Sequence, residues 1–144
     1  KLLIIGRGKN KKNLINYIEQ NNLAKYIKIN NYKENPFPYI KKSDLFVLSS
    51  KYEGLPNVLL EALTLKKFII SSNCPTGPSE ILDDGKGGLL FKVGDYKELA
   101  KKIIFFNSNK KLCLKKMMVA HKRLLRFDYN KNLNKYYNLI KKYL

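Results

Sequence analysis

Two carboxylates separated by seven residues, Glu53 and Glu61, stand in the stretch KYEGLPNVLLEAL at positions 51–63. Glu53 sits beside Gly54, whereas Glu61 is flanked by Val58, Leu59, Leu60, Ala62 and Leu63. Proline tolerates the first position of a helix and asparagine caps one well, so Pro56 and Asn57 predict a helix start. Glu61 then lies about one turn inside a helix that is apolar nearly all round, a pattern that predicts burial. An ionised carboxylate there is costly unless it finds hydrogen-bond donors. Adjacent hydroxyls of a sugar would supply two, and a lysine ion pair or a backbone cap would also serve; the spacing does not choose between them. The amides of Asn57, Val58 and Leu59, left over at the helix start, form a ready site for phosphate.

These residues need a scaffold that presents them, and the strand DLFVLSS runs directly into them. In an open parallel sheet, ligands bind at the carboxyl ends of the strands. KLLIIGRG, YIKI, KFIISSN and GGLLFKV read as further strands. Between them, KNLINYIEQNNL predicts a helix with Leu14, Ile15, Ile18 and Leu23 facing inward, NNYKENPFP a loop, and YIKKS a helical turn. PSEILDDG predicts a short helix closed by Gly85, and Asp95 caps a helix over YKELAKKIIFF that breaks at Asn107 to Asn109 before another through Arg126. Alternating strands and helices predict the α/β class, a Rossmann-like parallel sheet with helices on both faces. Positions 131–144 predict a terminal amphipathic helix with Leu133, Tyr136 or Tyr137, Ile140 and Leu144 on one face and lysines opposite. Its apolar face would dock on this domain, on a missing partner domain or on a membrane surface.

The 29 basic residues against 11 acids give a net charge of +18. That charge suits phosphates or an anionic membrane face, yet the lysines are scattered, as an AT-rich genome would produce. Cys74 and Cys113, with His121 as the only other soft ligand, match neither a zinc spacing nor a disulfide framework. Reduced thiols and a cytoplasmic location are expected, and no apolar run reaches the ~20 residues of a membrane span. The first residue is Lys1, and an apolar run follows at once, so the chain reads as a fragment of a larger protein.

The order of the motifs resembles one family. EGLPNVLLE matches the E-x7-E signature of retaining glycosyltransferases of the two-domain GT-B fold, particularly family 4, the glycosyl transferases group 1. LLIIGRG is similar to that family's L-x-I-V-G-x-G strand, SDLFVLSSKYEGLPNVLLEAL to its A-D-x-F-V-L-P-S segment, and GGLLFKVGDYKELAKKI to its T-G-x-L-V-x-x-x-D-x-x-x-L-A close. The resemblance covers roughly Leu2 to Ile104 and implies the C-terminal, donor-binding half of the enzyme. Glu61 would then bind the ribose of a nucleoside diphosphate sugar, and Glu53 would contact the transferred sugar or steady charge beside the anomeric carbon. Gly54 and the amides of Asn57, Val58 and Leu59 would approach the donor. Gly6 and Gly8 would let backbone pass close to it, or serve only as turn residues, and Arg7 would contact phosphate or remain a solvated charge. Tyr32 and Lys33 occupy the position that grips the base, or simply a surface loop. The form of NCPTGPSEIL resembles that of enzymes assembling bacterial surface glycans, often from a UDP-linked hexose or N-acetylhexosamine. Thr76 and Gly77 would line the acceptor side, and Glu80 would do so or cap the next helix.

The resemblance further implies a glycan or lipid-linked acceptor. No Asp-x-Asp pair occurs, so no metal and no other cofactor is expected, and the lysine excess suggests a second expectation, a peripheral site on the inner face of the cytoplasmic membrane. The G-R-L-x-x-x-K-G strand and helix, the N-terminal acceptor domain and its histidine are expected to lie outside this chain, and His121 is not assigned that role. Alone, such a fragment would bind donor weakly and catalyse little. A GT-B relative such as a nucleotide-sugar epimerase is the alternative within the fold. A basic nucleic-acid-binding module is the alternative outside it, although no such motif occurs and the carboxylates fall where phosphates should lie. G-x-G-x-x-G fails as well, with Lys11 in the third glycine's place.

Overall fold

The computed structural model describes residues 1–143, so Leu144 of the predicted terminal face lies outside the described residues. It comprises two compact units, Lys1–Pro36 and Phe37–Leu144. In the first, strand β1 (Leu2–Ile5) is followed by helix α1 (Lys11–Gln20) and by strand β2 (Ile27–Asn30), which pairs with β1 in parallel, Leu2 opposite Ile27. Helix α1 ends earlier than its apolar pattern predicts. Asn22 adopts φ 55°, and the amides of Asn22 and Leu23 donate back to the carbonyls of Glu19 and Ile18. This is a Schellman closure, in which asparagine takes the left-handed position. Of the expected inward residues, Ile18 is buried and Leu23 half-buried, while Leu14 and Ile15 are 42% and 38% exposed.

The second unit opens with helix α2 (Phe37–Lys42), starting two residues before the predicted turn, and continues through strand β3 (Leu45–Leu48), helix α3 (Asn57–Thr64) and strand β4 (Phe68–Ser72). Helix α4 (Pro78–Ile81), strand β5 (Leu89–Phe91) and helices α5 (Tyr96–Ser108) and α6 (Lys110–Lys122) follow. A 3₁₀ turn (Leu124–Phe127) leads into helix α7 (Tyr129–Ile140). Strand order is β3-β4-β5, all parallel. Every residue of β4 is buried, as expected of a central parallel strand covered on both faces. Leu59, Ala62 and Leu63 of α3 and Cys113, Met117 and Ala120 of α6 join β4 in the core, and Phe68 stacks on Phe106 of α5 at 5.4 Å. Burial pushes the Cys113 thiol pKa upward.

Two local predictions need adjustment. Helix α4 stops at Ile81 rather than running to Gly85, because Asp83 takes the left-handed position at φ 51° and Asp84 donates to the Ser79 carbonyl. Three cations from the C-terminal helical region secure this exit: Lys116 and Arg126 donate to the carbonyls of Gly85 and Glu80, and Arg123 pairs with Asp83. Cations suit a helix C-terminus, so these charges have structural work. The predicted second helix through Arg126 is likewise divided, with α6 ending at Lys122. Asp95 caps α5 as predicted, accepting from the Glu98 amide at 2.8 Å.

Candidate active site

Glu53 lies in the irregular segment that leaves the carboxyl end of β3, and Glu61 lies on α3, the helix that follows. Both are half-buried. Among the described residues neither carboxylate has a hydrogen bond or an ion pair with protein. The lysine pair and the backbone cap that the spacing of Glu61 left open are therefore not what the fold provides. A half-buried carboxylate without protein donors is suited to donors from elsewhere.

Helix α3 begins with Pro56 at its N-cap and no side-chain cap, so Asn57 is the first helical residue and not the capping residue expected of it. The Leu59 amide donates to the Pro56 carbonyl at 2.9 Å, and the Leu59 side chain is fully buried in the core. Leu59 is therefore not one of the free amides; those at Asn57 and Val58 have no protein acceptor among the described residues. The helix start offers two N–H groups on the same element as Glu61, beside the segment that holds Glu53.

The loop that leaves β4 is bound to this segment. Thr76 Oγ1 donates to the Glu53 carbonyl at 2.6 Å, sharing its proton with the Pro75 carbonyl at 2.7 Å. Gly77, with φ 89°, packs where any Cβ would lie 2.3 Å from Pro56 Cδ and 2.5 Å from the Gly54 oxygen. Only glycine meets both demands. Thr76 and Gly77, expected to line an acceptor, thus stand against Glu53 and Gly54. Gly54 is exposed, with open space where its Cβ would be. The Glu80 side chain makes no cap on α4, although its carbonyl accepts from Arg126.

Sequence reasoning missed Ser72 and Ser50. Ser72 is fully buried at the end of β4, and its Oγ donates to the Ser50 carbonyl at 2.6 Å. The signal was present, since a hydroxyl at the end of a buried strand must find an acceptor. His121 Nδ1 lies 2.9 Å from the Leu63 carbonyl, tying α6 to the end of α3.

The remaining predicted residues belong to the first unit. Gly6 and Gly8 follow β1, and beyond their chain neighbours no described atom lies within 4 Å of a Cβ built on either, so packing leaves room for a side chain at both, although Gly6 holds φ 158°. Arg7 stacks its guanidinium 5.2 Å above the Tyr32 ring. Lys33 is exposed, and Lys11 donates to the Asn31 side chain. Among the described residues no three His, Cys, Asp or Glu side chains cluster as metal ligands, and no helix is long and apolar enough to cross a membrane.

Parallel strands with helices between them and acidic side chains at a strand's carboxyl end define an α/β domain of the GT-B glycosyltransferase type, and comparison with known proteins agrees. Residues 1–123 match the family described as glycosyl transferases group 1, and the chain belongs to that family. It is 45% identical over 82 residues, 57% of its length, to an uncharacterized glycosyltransferase of Methanocaldococcus jannaschii. Over 93 residues, 65% of its length, it is 32% identical to a Campylobacter jejuni N-acetylgalactosamine-N,N'-diacetylbacillosaminyl-diphospho-undecaprenol 4-alpha-N-acetylgalactosaminyltransferase. A TarM variant of Staphylococcus aureus, crystallised with fondaparinux, alpha-GlcNAc-glycerol and UDP, superposes on 96% of the chain with a TM-score of 0.87 at 26% identity. The chain spans 20% and 26% of the two relatives and 28% of the crystallised protein.

Proposed function

We propose that the full-length protein is a retaining glycosyltransferase that moves a hexose or N-acetylhexosamine from a UDP-sugar to a bacterial surface glycan or a lipid-linked acceptor. The observation that carries this reading is the pair of half-buried carboxylates, Glu53 and Glu61, left without partners among the described residues beside the free amides of Asn57 and Val58. Glu61 accepts hydrogen bonds from the ribose hydroxyls, the amides donate to oxygens of the nucleotide sugar, and Glu53 stabilises positive charge developing at the anomeric carbon. The departing diphosphate is stabilised without a metal. The UDP bound to the TarM variant and the undecaprenol-linked substrate in the Campylobacter relative's name support the donor and acceptor classes. The lysine excess holds the protein against an anionic membrane face, where a lipid-linked acceptor would lie.

A thermal-shift panel of UDP-, GDP- and ADP-sugars against the full-length protein tests the reading, because ligands that bind the native state raise the melting temperature. UDP-sugars are expected to raise it, and product NMR with a chelator present is expected to show the donor's anomeric configuration retained. A protein indifferent to all three nucleotide classes would refute the reading.

A further inference from the structure

The segment that carries Glu53 has no regular structure, yet it is held at every third residue from the end of β4 and the β4–α4 connection. Ser72 Oγ bonds the Ser50 carbonyl, Thr76 Oγ1 bonds the Glu53 carbonyl, and Gly77 packs on Pro56. The middle tie falls on the peptide of Glu53 itself. With its carboxylate unpartnered among the described residues, Glu53 owes its place to its backbone, and among those residues the hydroxyl of Thr76 is the side-chain group that bonds that backbone. Thr76 has φ 61°, a left-handed conformation that a β-branched residue rarely adopts. Such a conformation persists where the surroundings impose it, and it concentrates at functional sites.

We infer that Thr76 is a positioning residue for Glu53, fixing through one side-chain-to-backbone hydrogen bond where that carboxylate stands relative to the transferred sugar. The inference rests on the glycosyl-transfer reading above. It does not require Thr76 to touch the sugar or the acceptor. Misplacing a reacting group by about 1 Å costs up to ~100-fold in rate, so losing this bond should lower turnover and leave nucleotide binding in place.

The experiment uses the full-length protein with UDP-glucose and UDP-N-acetylglucosamine as donor probes and UDP as the binding probe. Thr76→Val is expected to lower kcat roughly tenfold with KM and the UDP Kd within about twofold of wild type, and Thr76→Ser to recover most of the loss. In a Glu53→Ala background the valine substitution should cause no further loss, because residues acting as a unit are not additive. Thr76→Ala replaces the valine variant should the latter not fold. Wild-type kcat in the hydroxyl-free variant, equal impairment of the serine variant, or losses that multiply with Glu53→Ala would each overturn the inference. Wild-type protein that binds neither UDP nor the GDP- and ADP-sugars of the thermal-shift panel would instead overturn the glycosyl-transfer reading, and this inference with it.

Discussion

Gly77 sits so close to Pro56 that a Cβ on it would lie 2.3 Å from the proline Cδ. The contact joins the loop after β4 to the residue from which α3 springs, and it depends on a backbone at φ 89°. Gly77→Ala must strain the backbone and displace a ring that cannot bend away. The expected cost is about 2–4 kcal/mol, combining left-handed strain with overpacking. Gly54→Ala, in open space, should stay within about 0.5 kcal/mol of wild type. Denaturant unfolding of both variants checks the contrast.

Glu53 and Glu61 lead to opposite expectations for stability and function. Among the described residues neither carboxylate has a protein partner, so replacing either by alanine should change stability by no more than about 1 kcal/mol, and relief of desolvation would raise it. In the full-length protein Glu53→Ala should abolish most turnover, by roughly 100-fold or more, with UDP affinity nearly unchanged. Glu61→Ala should weaken UDP binding by about tenfold, the loss of one or two hydrogen bonds to a charged group. Calorimetric titration with UDP alongside steady-state kinetics separates the roles, and unaltered UDP affinity in Glu61→Ala would remove it from the ribose.

Local signals were legible before the structure, and the non-local ones were not. The Asp95 cap, the helix start near Pro56 and the buried run of β4 follow from residue types a few positions apart. The ends of α1 and α4 did not, because Asn22 and Asp83 enter the left-handed region without the glycine that usually announces it. Leu59 departs from the expectation because its amide turns back to Pro56 in the first turn of the helix. The ties from Ser72 and Thr76 join residues more than twenty positions apart, and no periodicity within either segment reveals such a bond.

Glu98 should contribute stability at neutral pH that is lost in acid. Its carboxylate accepts the Lys92 amide at 2.8 Å and pairs with Lys102 at 3.0 Å, and these contacts, the amide first, hold its pKa below the ordinary glutamate value. The unfolded chain therefore binds the proton more readily. The stabilisation is complete above the unfolded pKa, about 4.3, and disappears as pH falls through the lower folded value. Thermal melts from neutral pH into that range should show Glu98→Gln less stable than wild type at neutral pH, with the difference shrinking in acid. A constant difference would show that the charge is not the cause.

Helix α7 offers the most direct test of the membrane reading. Lys131 and Lys135 are exposed on it, and no acid lies within its range Tyr129–Ile140. A lysine near an anionic surface contributes about 1 kcal/mol, so Lys131→Glu with Lys135→Glu should weaken binding to phosphatidylglycerol vesicles by at least about 30-fold. The attraction is screened over about 10 Å at 0.1 M salt, and wild-type binding should therefore weaken steeply as salt rises. Sedimentation with phosphatidylglycerol and with neutral phosphatidylcholine vesicles measures both effects. Equal pelleting with the two lipids at low salt would show that the positive charge of this chain does not hold it to a membrane.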